Sequence, residues 1–198
     1  MVLSNTFPMK MSKTSGEDVV FKDRDSDGLL TPTVDPMVVT IGIGPAIVRR
    51  VLVDSGASVN VLFINAFSQM KLSMADMRAC PNKIHGFTVQ PTQPVGVIDL
   101  LVELGEGEKK VAMIQTFVVV DEHSAYNAFL GKPTLTAFKI ALAPWCLTTK
   151  FPTERGVVVI KGDQKTAREC YMAELVEAKR KEMGKNAGPP LRIRDTAL

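Results

Sequence analysis

Aromatic side chains are scarce: nine Phe, two Tyr and one Trp in 198 residues. A core must therefore be built mainly from Val, Ile, Leu and Met. Charge of one sign is also lacking, since 24 Lys and Arg stand against 21 Asp and Glu, a net charge of +3. That balance argues against a strong nucleic-acid binder, which needs a basic face. Cysteine is limited to Cys80, Cys146 and Cys170. An odd, widely spaced set fits neither a disulfide framework nor a metal site and points to a reducing compartment. No apolar run reaches the roughly 18 residues of a membrane span, and residues 1–16 contain no continuous apolar stretch of the signal-peptide kind. The expectation is a soluble, intracellular, cytoplasmic protein with no membrane partner, metal or cofactor. What the chain does have is 45% apolar residues, enough for an ordered core.

Residues 1–35 are rich in Ser, Thr, Asp, Lys and Pro without sustained periodicity, and read as a flexible lead-in. The β-branched runs 37–43 and 48–53 flank a Gly44-Pro45 turn, which predicts a hairpin. A short helix is expected over 61–70. Strands are expected over 84–89 and 95–104 as a second pair, over 111–120, and near 146–151 and 156–160. Pro133 predicts a short helix from its first turn to Phe138. In 163–183, Ala167, Tyr171, Leu175 and Ala178 recur at helical spacing, with Asp163 suited to the N-cap. The expected fold class is all-β with a late helix, divided into a lead-in (1–35), a β domain (36–161) and a helical, basic tail (162–198).

Asp54-Ser55-Gly56 is the motif with chemical content. The tripeptide by itself is weak, since Asp-Ser/Thr-Gly turns up in roughly one in ten chains of this length at average usage. Its setting is more specific. It follows Val51-Leu52-Val53 and leads through Ala57-Ser58 into the apolar run 59–63. An acidic residue at the end of a buried strand, before a glycine turn, places a carboxylate in a protected site. The competing reading is an ordinary β-turn in which Asp54 accepts local backbone hydrogen bonds.

Residues 51–62, VLVDSGASVNVL, resemble the active-site segment of retropepsin-type aspartic proteases, in particular those of gag-pol polyproteins from gypsy-type long-terminal-repeat retrotransposons of plants. The resemblance continues in order along the chain. Gly28-Leu-Leu-Thr-Pro32 is similar to the lead-in, Gly86-Phe87 followed by Gly96-Val-Ile98 to the flap hairpin, and residues 126–135 to the apolar-apolar-Gly segment and its short helix. Residues 150–171 are similar to the stretch leading towards reverse transcriptase. The sequence contains neither such a domain nor a zinc knuckle, and the expectation is an excised or degraded fragment of a polyprotein gene.

The resemblance implies a closed acid-protease β-barrel with short helices and a C-terminal helical extension. It implies that Asp54 is catalytic, with Ser55 locking two active-site loops together and Gly56 making the turn. Ala57, Ser58, Gly86 and Phe87 would face the substrate or form the flap, and Phe129, Leu130 and Gly131 would support the active-site loop. Aspartic proteolysis needs two carboxylates sharing one proton. This chain has one such triplet, because Asp27 separates serine from glycine in Asp25-Ser26-Asp27-Gly28. A homodimer with one Asp54 per subunit is therefore expected, acting on a polypeptide substrate and located in the cytoplasm or a retroelement particle. The alternative is an inactive retroelement remnant serving in dimerisation or binding, a reading prompted by Pro91 and Pro94 near the flap tip.

Other signals read as structure. Asp23-Arg-Asp-Ser-Asp-Gly28 opens like a calcium loop, but Val34 stands where the bidentate Glu belongs, so a solvated acidic linker is expected. Gly42-Ile-Gly44 lacks the third glycine of a dinucleotide loop. His85 and His123 are not spaced to form a catalytic arrangement with Ser58 or Cys80. Glutamates dilute the charge of the basic tail.

Overall fold

The computed structural model describes residues 17–80 and 92–183. Six strands close into a barrel, in the order Val38–Ile43, Ala46–Val53, Ala128–Leu130, Asn60–Phe63, Val111–Val120 and Gly96–Leu104. β1 (Val38–Ile43) and β2 (Ala46–Val53) form the expected hairpin, turning at Gly44, whose φ of 54° lies in the left-handed region. β4 (Gly96–Leu104) pairs antiparallel with β5 (Val111–Val120) along its whole length, from Gly96↔Val119 to Leu104↔Val111. β4 also meets β1 at Gly42↔Glu103 and closes the barrel. The expected pairing of 95–104 with 84–89 falls on residues outside those described.

The remaining barrel strands are short. β3 (Asn60–Phe63) lies parallel to β5, and β6 (Ala128–Leu130) lies parallel to β2 and antiparallel to β3. This corrects the helix expected over 61–70: residues 60–63 are strand, and α1 (Ile64–Gln69) begins only afterwards. Val61, Leu62 and Phe63 are buried, on both faces of the strand, so their apolar run carries no alternation. Phe117, Leu62, Leu130, Val51, Val102 and Val119 are among the side chains that fill the interior. Each contributes about 1.5–3 kcal/mol by leaving water.

After β6 come α2 (Lys132–Ala137), with Pro133 in its first turn, and a three-stranded sheet of β7 (Ala141–Ala143), β8 (Thr148–Thr153) and β9 (Gly156–Lys161). Cys146, expected in a strand, lies in the 3-10 turn before β8. α3 (Gln164–Met183) starts as expected, with Asp163 Oδ1 accepting the Thr166 N–H at 3.0 Å. Its buried face matches the expected set at Ala167 but not at Tyr171, Leu175 or Ala178. Ala167 and Cys170 are buried against a cluster that includes Val38, Val61, Val118 and Tyr126, whereas Tyr171 and Leu175 are exposed. The small side chains at 167 and 170 let the helix approach the barrel closely.

The acidic lead-in also differs from expectation over its described part. Lys150, on β8, pairs with Asp25 at 2.6 Å, and the two side chains are only 8% and 12% exposed. Its ammonium also donates to the Val20 carbonyl at 2.8 Å and sits 5.0 Å from the centre of the Phe21 ring. A lysine this buried must be paired, and the residues that pair it are those read as a solvated linker. Glu17 accepts the Val157 N–H, and Gln164 bonds both backbone groups of Leu30. Asp35 accepts from Thr33, Gln164 and Arg168.

Candidate functional site: the Asp54 loop

β2 ends at Val53, whose N–H donates to the Met37 carbonyl at 2.8 Å. The next residue, Asp54, is half-buried, with its own N–H bonded to the Leu130 carbonyl at 2.9 Å. The chain then turns. The Gly56 N–H donates to Asp54 Oδ1 at 2.8 Å, and the Ala57 N–H approaches the Asp54 carbonyl at 3.3 Å. The side-chain bond to Gly56 is the local Asx bond expected of an ordinary turn. It also fixes the carboxylate plane and engages only one oxygen. Among the described residues, no hydrogen bond reaches Asp54 Oδ2. Ser55, Gly56 and Ser58 are exposed and Ala57 is half-buried, so this rim of the barrel is open to a second molecule.

A second piece of chain holds the loop from beneath. The Lys132 N–H donates to the Ala57 carbonyl at 2.9 Å. Gly131 lies so close that an added Cβ would be 2.3 Å from the Val59 carbonyl oxygen and 2.8 Å from that of Ala57. Only glycine fits there. Leu130 is buried in the main core. Phe129 faces the other way and packs edge-on against Phe63 and Tyr126, with ring centroids 5.2 and 5.6 Å away. Of the three residues expected to support the loop, Leu130 and Gly131 meet it through their backbone, while Phe129 packs in the outer cluster. Gly86 and Phe87 lie outside the described residues.

Three polar residues near the loop did not stand out in the sequence. Asn60 and Thr134 are fully buried and Gln115 nearly so. Asn60 Oδ1 accepts the Gly131 N–H and the Thr134 hydroxyl, both at 2.9 Å, and its amide donates to the Thr116 carbonyl at 3.0 Å. The available signal was a polar residue inside an apolar run, Val59-Asn60-Val61, where an unsatisfied amide is costly.

Among the described residues no cluster of His, Cys, Asp or Glu has the composition to hold a metal ion. No helix among them is long and apolar enough to cross a membrane.

No protein-family model matches the chain, and no curated protein matches it. Among solved structures it is similar to the retroviral protease-like domain of Ddi1 from Leishmania major. The identity is 13% and the TM-score 0.47, over 66% of this chain and 96% of that one. It is also similar to a retropepsin-like aspartic protease from Rickettsia conorii, at 13% identity and a TM-score of 0.38, over 62% of this chain and 79% of that one.

Proposed function

We propose that the chain is an aspartic endopeptidase of the retropepsin type, active as a homodimer in which each subunit supplies Asp54. The observation that carries the reading is the placement of Asp54 at the end of a barrel strand. It stands at an open rim, with Oδ1 fixed by Gly56 and its backbone tied to the Leu130 carbonyl. The resemblance of residues 51–62 to the retropepsin active-site segment supports it. The same resemblance supports a retroelement polyprotein, of the gypsy type found in plants, as substrate.

In this reading the two Asp54 carboxylates share one proton, because like charges so close do not both ionise readily. The ionised member takes a proton from water, whose oxygen forms a bond to the scissile carbonyl carbon. The protonated member gives its proton to the carbonyl oxygen. Collapse of the resulting gem-diol breaks the C–N bond. The leaving nitrogen takes the proton now on the first carboxyl, and the second carboxylate takes a proton from a gem-diol hydroxyl, which restores the starting pair. Ser55 and Gly56 are exposed beside Asp54, and in this reading they would contact the loop of the second subunit.

The test is cleavage of a peptide library at mildly acidic pH, with pepstatin-type inhibition and an Asp54→Asn control. Cleavage that the inhibitor and the substitution both abolish supports the proposal. A stable dimer that cleaves nothing favours the binding module instead.

A further inference from the structure

The peptide unit joining Leu130 to Gly131 is held from both sides. Its carbonyl accepts the Asp54 N–H at 2.9 Å, and its N–H donates to Asn60 Oδ1 at 2.9 Å. The unit is planar, so its C=O and N–H turn together. Whatever fixes the direction of the N–H therefore fixes the acceptor that holds the backbone of Asp54. One residue further on, the Lys132 N–H holds the Ala57 carbonyl, at the other end of the same loop.

Asn60 is itself fixed by groups from two other elements. Its amide donates to Thr116 on β5, and its carbonyl oxygen takes the Thr134 hydroxyl from α2. That hydroxyl has one proton and two acceptors in reach, Asn60 Oδ1 at 2.9 Å and Gln115 Oε1 at 3.3 Å. The shorter contact assigns the proton to Asn60. Both lone-pair positions of Oδ1 are then used, and the amide cannot rotate without leaving the buried Gly131 N–H unpaired, which is costly.

We propose that Asn60 and Thr134 are positioning residues for the active site, aligning the 130–131 peptide and through it the backbone and carboxylate of Asp54. Neither side chain touches the carboxylate. Their effect passes through one peptide plane. The assignment rests on Asp54 being catalytic, so it is tested by one measurement that needs activity and one that does not.

Thr134→Val keeps the shape of the side chain and removes the hydroxyl, a milder change than any at Asn60. Thr134→Ser keeps the hydroxyl. Amide hydrogen exchange, read residue by residue, should accelerate about tenfold at Asp54, Gly131 and Lys132 in Thr134→Val, while the β4–β5 ladder stays as protected as in the unsubstituted chain. Thr134→Ser should restore protection. In peptide cleavage, Thr134→Val should lower kcat about tenfold with KM within about twofold, as expected for a misplaced reacting group, and Thr134→Ser should restore kcat. Unchanged exchange at Asp54, or equal acceleration throughout the barrel, would overturn the proposal. If the unsubstituted chain cleaves nothing, the protease reading fails, and the exchange measurement alone decides whether Asn60 and Thr134 hold the loop.

Discussion

Gly131 and the Val59 carbonyl are in backbone-to-backbone contact so close that a methyl group at residue 131 would lie 2.3 Å from the Val59 oxygen. This is where the β6–α2 junction presses against the far end of the Asp54 loop. Gly131→Ala must push that loop outwards or break the Lys132–Ala57 bond. We expect a loss of about 3 kcal/mol, the upper range for overpacking a rigid site, together with loss of any cleavage. Urea unfolding of the variant checks it. A midpoint equal to that of the unsubstituted chain would mean the junction is soft.

Asp54→Asn should separate chemistry from stability. The amide oxygen of Asn can still accept the Gly56 N–H, and the side chain is only half-buried, so stability should change by less than about 0.5 kcal/mol. Cleavage should fall by about a thousandfold or more, the scale expected when an acid–base group is removed. Thermal unfolding and peptide cleavage on one preparation test both halves.

Acid should loosen the lead-in. The Lys150 ammonium and the Lys22 N–H both bond to Asp25 and hold its carboxyl below the usual aspartate value. At Asp35 burial pushes upward, but hydrogen bonds from Thr33, Gln164 and Arg168 outweigh it and the net direction is again downward. A carboxyl depressed in the folded state contributes stability that is fully present above its unfolded value, about 3.9. That contribution is lost as pH falls through the lower folded value. Asp25→Asn should therefore be less stable than the unsubstituted chain at pH ~7, with the gap closing towards pH ~2. Urea midpoints across that range decide it. A gap independent of pH would show that the Asp25 charge contributes nothing.

The cysteines should react unequally. Cys146 and Cys170 are buried, and burial pushes the Cys170 thiol up to about 11. Cys80 is partly exposed. A thiol reagent at pH ~8 should label Cys80 on the native protein and reach the other two only after unfolding, because the thiolate is the reactive form. Rapid labelling of Cys170 would contradict the packing of α3.

Local signals predicted the local elements well. The β1–β2 hairpin, β5, Pro133 in the first turn of α2 and the Asp163 cap are all set by residues within a few positions of one another. Residues 61–63 form strand where a helix is expected because their strand character comes from β5 and β6, more than fifty residues away, while the run itself has no strand alternation. On α3 the helical spacing finds Ala167 but not Cys170, because the face that packs is set by how closely small side chains let the helix approach the barrel. The Asp25–Lys150 pair was invisible because its partners are distant in sequence and each, alone, looks like a surface charge. At the site, Asp54-Ser55-Gly56 could be read from the chain. Asn60 and Thr134 could not, because only the fold shows that they meet Gly131.

A mixing experiment tests the central claim most directly. The unsubstituted chain and Asp54→Asn would be denatured together in equal amounts, refolded, and assayed for peptide cleavage against the same total amount of unsubstituted chain. If each active site needs Asp54 from two chains, random pairing leaves about one quarter of the dimers competent, and activity should fall to about one quarter. Activity of about one half would show that each chain works alone, and no cleavage by the unsubstituted chain would contradict the account outright.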